Sequence, residues 1–422
     1  MYKAPRGTAD ILPAEQRHWH YVEERAVALA RRHGYQRIDT PVFEVAGLFV
    51  RTVGQETDIV QKEMYTFEDR GGEEMTLRPE GTAPVCRAYL EHGMHNLPQP
   101  VRLYYFCPVF RYERPQSGRY RQHHQFGVEA LGDADPAVDA EVIGMAWGLM
   151  QDLGLRDLSL LVNSIGDSAC RPAYLDRLRE YYAPRLEALC PDCRARHQRN
   201  PLRLLDCKRE SCQPYALEAP RSADHLCPEC QEHWQSLLGH LEILGIPYRQ
   251  DHRLVRGLDY YTRTVFEVHP QEEGGQSTIC GGGRYDGLIQ ELGGPPTPGI
   301  GFATGMERMV LNLQRQGVAV PAEAPRPIAI AHMGPAGQRE AIRLARRLRS
   351  AGLTVVVTPA ARSLKAQMRH ASAMGAAVTL ILGEEEIRKA EVTLRDMDAG
   401  RQESVPVEGL EARLAECTPR PQ

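Results

Sequence analysis

No apolar run in the sequence approaches the roughly 18 to 20 residues that a bilayer-spanning helix needs, which excludes a helical membrane protein. The first residues, Met1 to Asp10, contain no apolar h-region, so no secretory signal is visible. Net charge is also scarce: 51 Lys+Arg against 55 Asp+Glu leave −4, which gives no overall cationic surface for nucleic acid. There is no internal repeat and no low-complexity tract, and the glycines follow neither a Walker nor a Rossmann spacing. These absences point to a cytoplasmic protein without membrane contact. The cysteines number 11, an odd count, and in a reducing cytosol they are expected to be thiols or metal ligands rather than disulfides.

A chain of 422 residues exceeds one ordinary core, so at least two domains are expected. Residues 325–422 carry 15 Lys+Arg and 11 Asp+Glu, a balance of +4, which leaves −8 for the preceding part. We place a first domain over 1–324, with a helical, cysteine-rich insertion over about 171–245, and a second over 325–422. Apolar spacing predicts a helix over 14–33, stopped by Gly34. A hairpin is expected from 64–67 and 75–77 around Asp69-Arg70-Gly71-Gly72, followed by a helix with Thr82 as N-cap and Pro84 in its first turn. Leu103–Tyr112 and Gln122–Ala130 read as strands joined by a short polar loop, and Thr262–Val268 and Ser277–Cys280 as two more. Consecutive strands of this kind indicate a mainly antiparallel sheet, an α+β arrangement. Beyond the proline-bearing Ala322–Pro327 the pattern changes. Strands at 328–331, 353–358 and 377–382 alternate with helices at 337–350 and 363–374, which marks a small α/β domain.

Four stretches carry chemistry. In Phe110-Arg111-Tyr112-Glu113-Arg114 with Arg119-Tyr120-Arg121, fixed guanidinium forks suit a phosphate that gathers negative charge as it is attacked. Arg111, placed on a strand, is expected to be held more firmly than the loop arginines. Thr76 to Thr82 takes a strand into a helix, so that Glu80 and Thr82 can face one pocket. Val255 to Arg263 precedes Cys280-Gly281-Gly282-Gly283-Arg284-Tyr285-Asp286-Gly287, where successive glycines allow a backbone to lie close to a ligand or to turn. Gly299 to Arg308 leads small residues into a helix whose first turn presents Arg308. Alone, each stretch is equally an ordinary surface or cap. His123-His124 suggests a metal pair only until strand geometry sends the two rings to opposite faces. Two Cys-x-x-Cys pairs, Cys190/Cys193 and Cys227/Cys230, have the spacing of one structural zinc, with Cys207 and Cys212 able to replace any of the four; buried thiols without metal are the alternative.

Together and in this order, the stretches resemble the class II aminoacyl-tRNA synthetases, and within them the histidyl-tRNA synthetase family. Arg111–Arg121 looks like motif 2 and Gly299–Arg308 like motif 3, while 40–67 takes the place of motif 1, the dimer-forming element. Arg256-Gly-Leu-Asp-Tyr-Tyr261 and 281–287 look like the two histidine-specific signatures, and Arg6 to Asp10 also fits. The resemblance covers essentially the whole chain. It implies an ATP-dependent, Mg2+-assisted ligase that attaches L-histidine to tRNA(His) through a histidyl-adenylate, a homodimer with a C-terminal anticodon-binding α/β domain. Glu80, Thr82 and Gln125 would surround the histidine ammonium, and Glu129 and Tyr261 would hold the imidazole. Gly81, Tyr260 and Tyr285 would complete that pocket. Arg111 and Arg256 would grip the carboxylate and the α-phosphate as the catalytic pair. Arg308, Glu113 and Arg121 would bind the rest of ATP, and Arg114, Gln116 or Arg119 would meet the tRNA acceptor end. Regulatory paralogues lacking ligase activity, and plain RNA- or ligand-binding modules on the same scaffold, are disfavoured by the retained Arg111, Arg256 and Arg308 and by the C-terminal domain.

Overall fold

Apolar periodicity at the N-terminus becomes helix α1 (Pro13–Arg32), which starts with a proline in its first turn and with Glu15 accepting from the Leu12 N–H at 3.2 Å. Strands β1 (Gln36–Arg37) and β2 (Phe43–Val45), helix α2 (Ala46–Val53), and the hairpin β3 (Tyr65–Glu68) and β4 (Glu74–Leu77) follow. Asp69 sets that turn, its carboxylate accepting from the N–H groups of Gly71 and Glu73 at 2.7 and 3.0 Å. Next come α3 (Thr82–Glu91), the long strands β5 (Val101–Phe110) and β6 (Gln122–Leu131), α4 (Pro136–Asp152) and β7 (Leu158–Ser164). The insertion contributes α5 (Arg171–Tyr182), α6 (Pro191–Arg199), α7 (Gln213–Leu217) and α8 (Pro228–Ile243). The chain returns with β8 (Tyr248–Gln250), β9 (Thr262–Pro270), β10 (Cys280–Arg284), α9 (Leu288–Glu291), β11 (Gly299–Gly305) and α10 (Met306–Arg315).

This computed structural model describes residues 2–55, 57–115, 118–270, 278–321, 326–359 and 362–417. Gln116, Ser277 and residues 322–325 of the expected linker lie outside them. The chain divides into two units, Met1–Val320 and Pro321–Gln422.

In the first unit eight strands form one sheet in the order β1-β5-β6-β11-β10-β9-β7-β8. The five central pairings are antiparallel, and only the two edges, β1 with β5 and β7 with β8, are parallel. Strand alternation divides the side chains between the faces. Tyr104, Phe126, Val128, Phe266 and Phe302 enter one core with α1, α4, α8 and α10, whereas Leu103, Tyr105, Val109 and Val265 enter the other with α3 and α5. Gln125, Gly127 and Glu129 therefore share the second face. A separate small sheet, β2-β4-β3, lies outside these cores.

Two sequence expectations need correction. Of the two readings of glycines 281–283, a close backbone approach or a turn, the turn is not formed: they are the body of β10, pairing in register with both β11 and β9. Arg111 is not on a strand: β5 stops at Phe110, although the Arg111 N–H still reaches the Arg121 carbonyl at 2.9 Å.

The second unit contains β12 (Ile328–His332), α11 (Gly334–Ser350), β13 (Val355–Val357), α12 (Leu364–Ala373), β14 (Val378–Leu382), α13 (Glu384–Lys389), β15 (Glu391–Asp396), β16 (Gln402–Pro406) and α14 (Leu410–Cys417). Its sheet runs β13-β12-β14-β15-β16, parallel among the first three and antiparallel thereafter. The last hairpin and α14 were not foreseen from the sequence.

Candidate active site

A cavity of about 350 Å³ opens on the second face of the large sheet, lined by Glu80, Gly81, Thr82, Arg111, Glu113, Arg119, Gln125, Arg256, Tyr260, Tyr261, Tyr285 and Arg308 among others. Four stretches widely separated in sequence thus meet at one place. The Glu129 carboxylate is not itself part of the lining but is buried directly behind it, held by three lining residues. Its Oε1 accepts from the Thr82 hydroxyl at 2.8 Å and from the Tyr105 hydroxyl at 3.0 Å, and its Oε2 accepts from the Tyr285 hydroxyl. Burial raises the Glu129 pKa to about 8 against the lowering effect of these hydrogen bonds.

Glycines make this arrangement possible. A Cβ on Gly127 would stand 2.3 Å from Tyr105 Cζ, one on Gly81 2.5 Å from Tyr105 Cε2, and one on Gly301 1.9 Å from Glu129 Oε2. Likewise a Cβ on Gly281 would stand 2.5 Å from Arg256 Nη1.

Thr82 is not the N-cap of α3, as expected, but its first residue. Glu80 does the capping instead, its two oxygens accepting from the Thr82 and Ala83 N–H groups at 2.6 and 2.9 Å. The Thr82 hydroxyl is thereby left for Glu129. Burial raises the Glu80 pKa, opposed by those backbone N–H groups.

The cationic side of the cavity holds three arginines. Arg111 donates from Nε to the Pro79 carbonyl at 2.8 Å. Arg256 is salt-bridged to Glu267 and lies 5.6 Å from the Tyr261 ring centre. Burial works against the Arg256 charge, but Glu267 more than offsets it and keeps the guanidinium above its ordinary pKa. Glu267 is held down to about 2, since Arg256 and His269 outweigh its own burial. Arg308 donates to the carbonyls of Thr278 at 2.6 Å and Gly118 at 3.2 Å. Burial, then repulsion from Arg119, lowers its pKa, with Arg111 adding to the repulsion. A bound anion would relieve this repulsion among Arg308, Arg119 and Arg111.

Not every expected residue reaches the cavity. Arg121 packs its stem on Gly7 and its guanidinium over the Tyr112 ring, 3.7 Å from the centre. Arg114 is exposed and outside the lining, whereas Arg119, also exposed, does reach the rim and pairs with Glu113 at 3.2 Å. His123 lines the cavity whereas His124 turns away to Glu307 and Trp19, so the pair does not converge. Sequence reasoning missed Tyr105 and Glu267. Glu267 lies opposite Gly281 in the β9–β10 register, which a correct strand assignment reveals.

The single zinc site expected from Cys190, Cys193, Cys227 and Cys230 is not formed. Cys190 and Cys193 meet Cys207 and Cys212, whereas Cys227 and Cys230 meet Asp167 and Cys170. The two Cys-x-x-Cys pairs begin different helices, α6 and α8, and each is closed by a different loop.

A family model described as histidyl-tRNA synthetase matches residues 7–309, and one described as an anticodon-binding domain matches 327–416. A histidine–tRNA ligase of Dehalococcoides mccartyi is 57% identical over 410 residues, covering 97% of this chain and 98% of the relative. One of Desulforamulus reducens is 52% identical over 406 residues, covering 96% and 97%. The crystal structure of apo Staphylococcus aureus histidyl-tRNA synthetase superposes with a TM-score of 0.82 at 39% identity, covering 98% of this chain and 99% of that one. With matches of this extent around a tyrosine-lined, arginine-rimmed cavity, the chain belongs to the histidyl-tRNA synthetase family of class II aminoacyl-tRNA synthetases.

Proposed function

We propose that the chain activates L-histidine with ATP in the cavity above Glu129 and transfers it to tRNA(His). The observation that carries this reading is the pairing of one buried carboxylate with a rim of arginines. When ionised, which burial delays to about pH 8, the Glu129 carboxylate offers about four lone-pair sites. Three accept from Thr82, Tyr105 and Tyr285, so one is left for an imidazole N–H. A site built on such bonds rejects side chains that cannot donate. Tyr261 is suited to the other imidazole nitrogen, and Gln125, Glu80 and the Gly81–Thr82 backbone to the ammonium end, with Tyr260 closing the wall.

In the first step a histidine carboxylate oxygen attacks the α-phosphorus and pyrophosphate leaves. Arg111 and Arg256 hold the two negative partners together and stabilise the charge that builds on the phosphoryl oxygens. Arg308 takes the remaining phosphates, assisted by Glu113; Arg121 acts from outside by fixing the Tyr112–Glu113 backbone through its bond to the Glu113 carbonyl at 3.3 Å. Glu113, whose Oε2 pairs with Arg119 at 3.2 Å without an aligned hydrogen bond, is the lining carboxylate that would share a Mg2+ ion with the phosphates. Bound with ATP, Mg2+ would neutralise phosphate charge.

In the second step a hydroxyl of the terminal tRNA ribose attacks the histidyl carbonyl and AMP departs. An adjoining hollow of about 950 Å³ shares Arg111, Glu113 and Arg119 with the cavity and adds Lys62, Lys208 and Arg209, which suits a strand end with its phosphates. Arg114, Gln116 and Arg119 remain the candidates for contact with the acceptor end.

The homodimer is supported by apolar side chains on the small sheet: Phe43 is 53% exposed, Val45 44% and Phe67 44%, a patch that a second copy would cover. No helix among the described residues is long and apolar enough to cross a membrane. A cytoplasmic location accords with charging tRNA and with free thiols. Structural zinc in the insertion completes the proposed cofactors. ATP–pyrophosphate exchange with each of the twenty amino acids tests the assignment: histidine alone should support it, and exchange driven by proline or threonine but not histidine would overturn it.

A further inference from the structure

We propose that the insertion holds two separate tetrahedral zinc ions, one in a four-cysteine site and one in a three-cysteine, one-aspartate site that clasps the insertion to the catalytic sheet. The first set is Cys190, Cys193, Cys207 and Cys212, and the second Asp167, Cys170, Cys227 and Cys230. Within each set the four ligand atoms all lie within 4.8 Å of one another. With Zn–S bonds of about 2.3 Å, a tetrahedral ion places its sulfurs about 3.8 Å apart. The Cys190 and Cys207 sulfurs are already 3.9 Å apart. In the second set Asp167 Oδ1 stands 3.5 Å from the Cys170 sulfur and 4.0 Å from that of Cys227. These spacings fit a single ion and are too close for the ligands of a multi-iron cluster.

The surroundings suit a metal. Cys170, Cys190 and Cys227 occupy the N-caps of α5, α6 and α8, so helix N-termini face both ligand sets. Backbone N–H groups point at sulfur, Cys193 N to Cys190 Sγ at 3.5 Å and Cys190 N to Cys212 Sγ at 3.3 Å. In the second set Arg263 takes Asp167 Oδ2 at 3.2 Å and leaves Oδ1 turned to the three sulfurs. A zinc ion with three thiolates and a carboxylate has net charge about −2, which Arg263 partly balances. Binding forms Zn–S and Zn–O bonds and releases the thiol protons to solvent, with no electron transfer.

Both sites lie behind the wall of the cavity. Cys207 follows Asp206, whose salt bridge to Arg203 at 3.0 Å places that pair in the cavity lining beside Gly257. Asp167 pairs with Arg263, two residues past Tyr261, and the Arg263 N–H donates to the Gly166 carbonyl at 2.7 Å. The ions are positioning elements: they would fix the insertion against the segment that presents Arg256 and Tyr261.

Elemental analysis of full-length protein, purified anaerobically without chelator, should find two zinc ions per chain. Cys193→Ser and Cys230→Ser should each retain one, and the double variant none. Cobalt exchange should give the visible bands of tetrahedral sulfur-ligated Co2+ in both single variants. Where a variant fails to fold, the wild-type metal count and cobalt spectrum decide. Zinc near zero, iron in its place, or pairs of cysteines joined as disulfides under non-reducing mass spectrometry would overturn the proposal. A single equivalent in the wild type, lost in one single variant and kept in the other, would overturn the site that the second variant alters.

Discussion

Replacing Arg256 by methionine should separate catalysis from folding. The side chain is salt-bridged to Glu267, and the two side chains are 20% and 16% exposed. Removing one partner of a fully buried pair costs about 3–5 kcal/mol. Here the cost should be nearer ~1–3 kcal/mol, because partial exposure screens the pair and Glu267 keeps His269 at 2.8 Å and Thr278 at 3.0 Å. The lowered pKa of Glu267 means that its stabilisation is present above the unfolded carboxyl range, about 4.3, and is lost as pH falls towards about 2. The deficit of Arg256→Met, measured by denaturant titration, should therefore shrink below about pH 4. Histidine-dependent pyrophosphate exchange should fall by about 10²- to 10³-fold, the usual effect of deleting one charge-stabilising donor. The double variant Arg256→Met/Glu267→Gln should regain most of the stability and none of the exchange. Exchange that returns together with stability would refute a catalytic role and leave Arg256 as a fold element.

Other substitutions probe the rest of the site. Glu129→Gln should abolish histidine-dependent exchange. Since burial raises the Glu129 pKa to about 8, its ionisation weakens the fold as pH rises from about 4.3 towards that value. The melting temperature of the variant relative to wild type should consequently be higher at pH 8 than at pH 5; the opposite trend would contradict the assigned shift. Gly127→Ala puts a Cβ 2.3 Å from Tyr105 Cζ, so the ring and its bond to Glu129 must shift; KM for histidine should rise about tenfold, and an unchanged KM would dismiss Tyr105 as a pocket element. Arg284 is fully buried and bonded through Nε to Asp139 Oδ1 at 3.0 Å, with His233 on the other Asp139 oxygen at 2.9 Å. Arg284→Met should cost about 3–5 kcal/mol in denaturant titration at neutral pH. Asp139 lies below its ordinary pKa because Arg284 and His233 outweigh its burial, so that cost should vanish as acid protonates it; a cost that persists in acid would point to lost packing instead.

Where pattern alone carried the information, the sequence was legible. The long helices, the paired strands around motif 2 and the change of grammar after residue 325 all follow from periodicity and punctuation. The ends of elements and the pairing of distant parts did not. Arg111 reads as a strand residue because Phe110 and Tyr112 favour β structure, yet the strand ends one residue earlier. Gly281 to Gly283 reads equally as a close approach or a turn, since nothing local reports that two neighbouring strands and the Arg256 guanidinium need the space of three side chains. Tyr105 is one aromatic in an apolar strand, and only the missing Cβ atoms of Gly81 and Gly127 mark its path to Glu129. The cysteines were misassigned for a similar reason: the spacing within each Cys-x-x-Cys is local, but the loops that complete the two sets lie elsewhere in the chain.

The central claim is that Glu129 reads the imidazole while Arg111 and Arg256 gather the reacting groups. A crystal structure with histidine and a non-hydrolysable ATP analogue tests it most directly. An imidazole N–H within hydrogen-bond distance of Glu129, with the carboxylate and α-phosphate between Arg111 and Arg256, is the expected result. Histidine bound with its ring away from Glu129, or phosphates that avoid both arginines, would contradict the account.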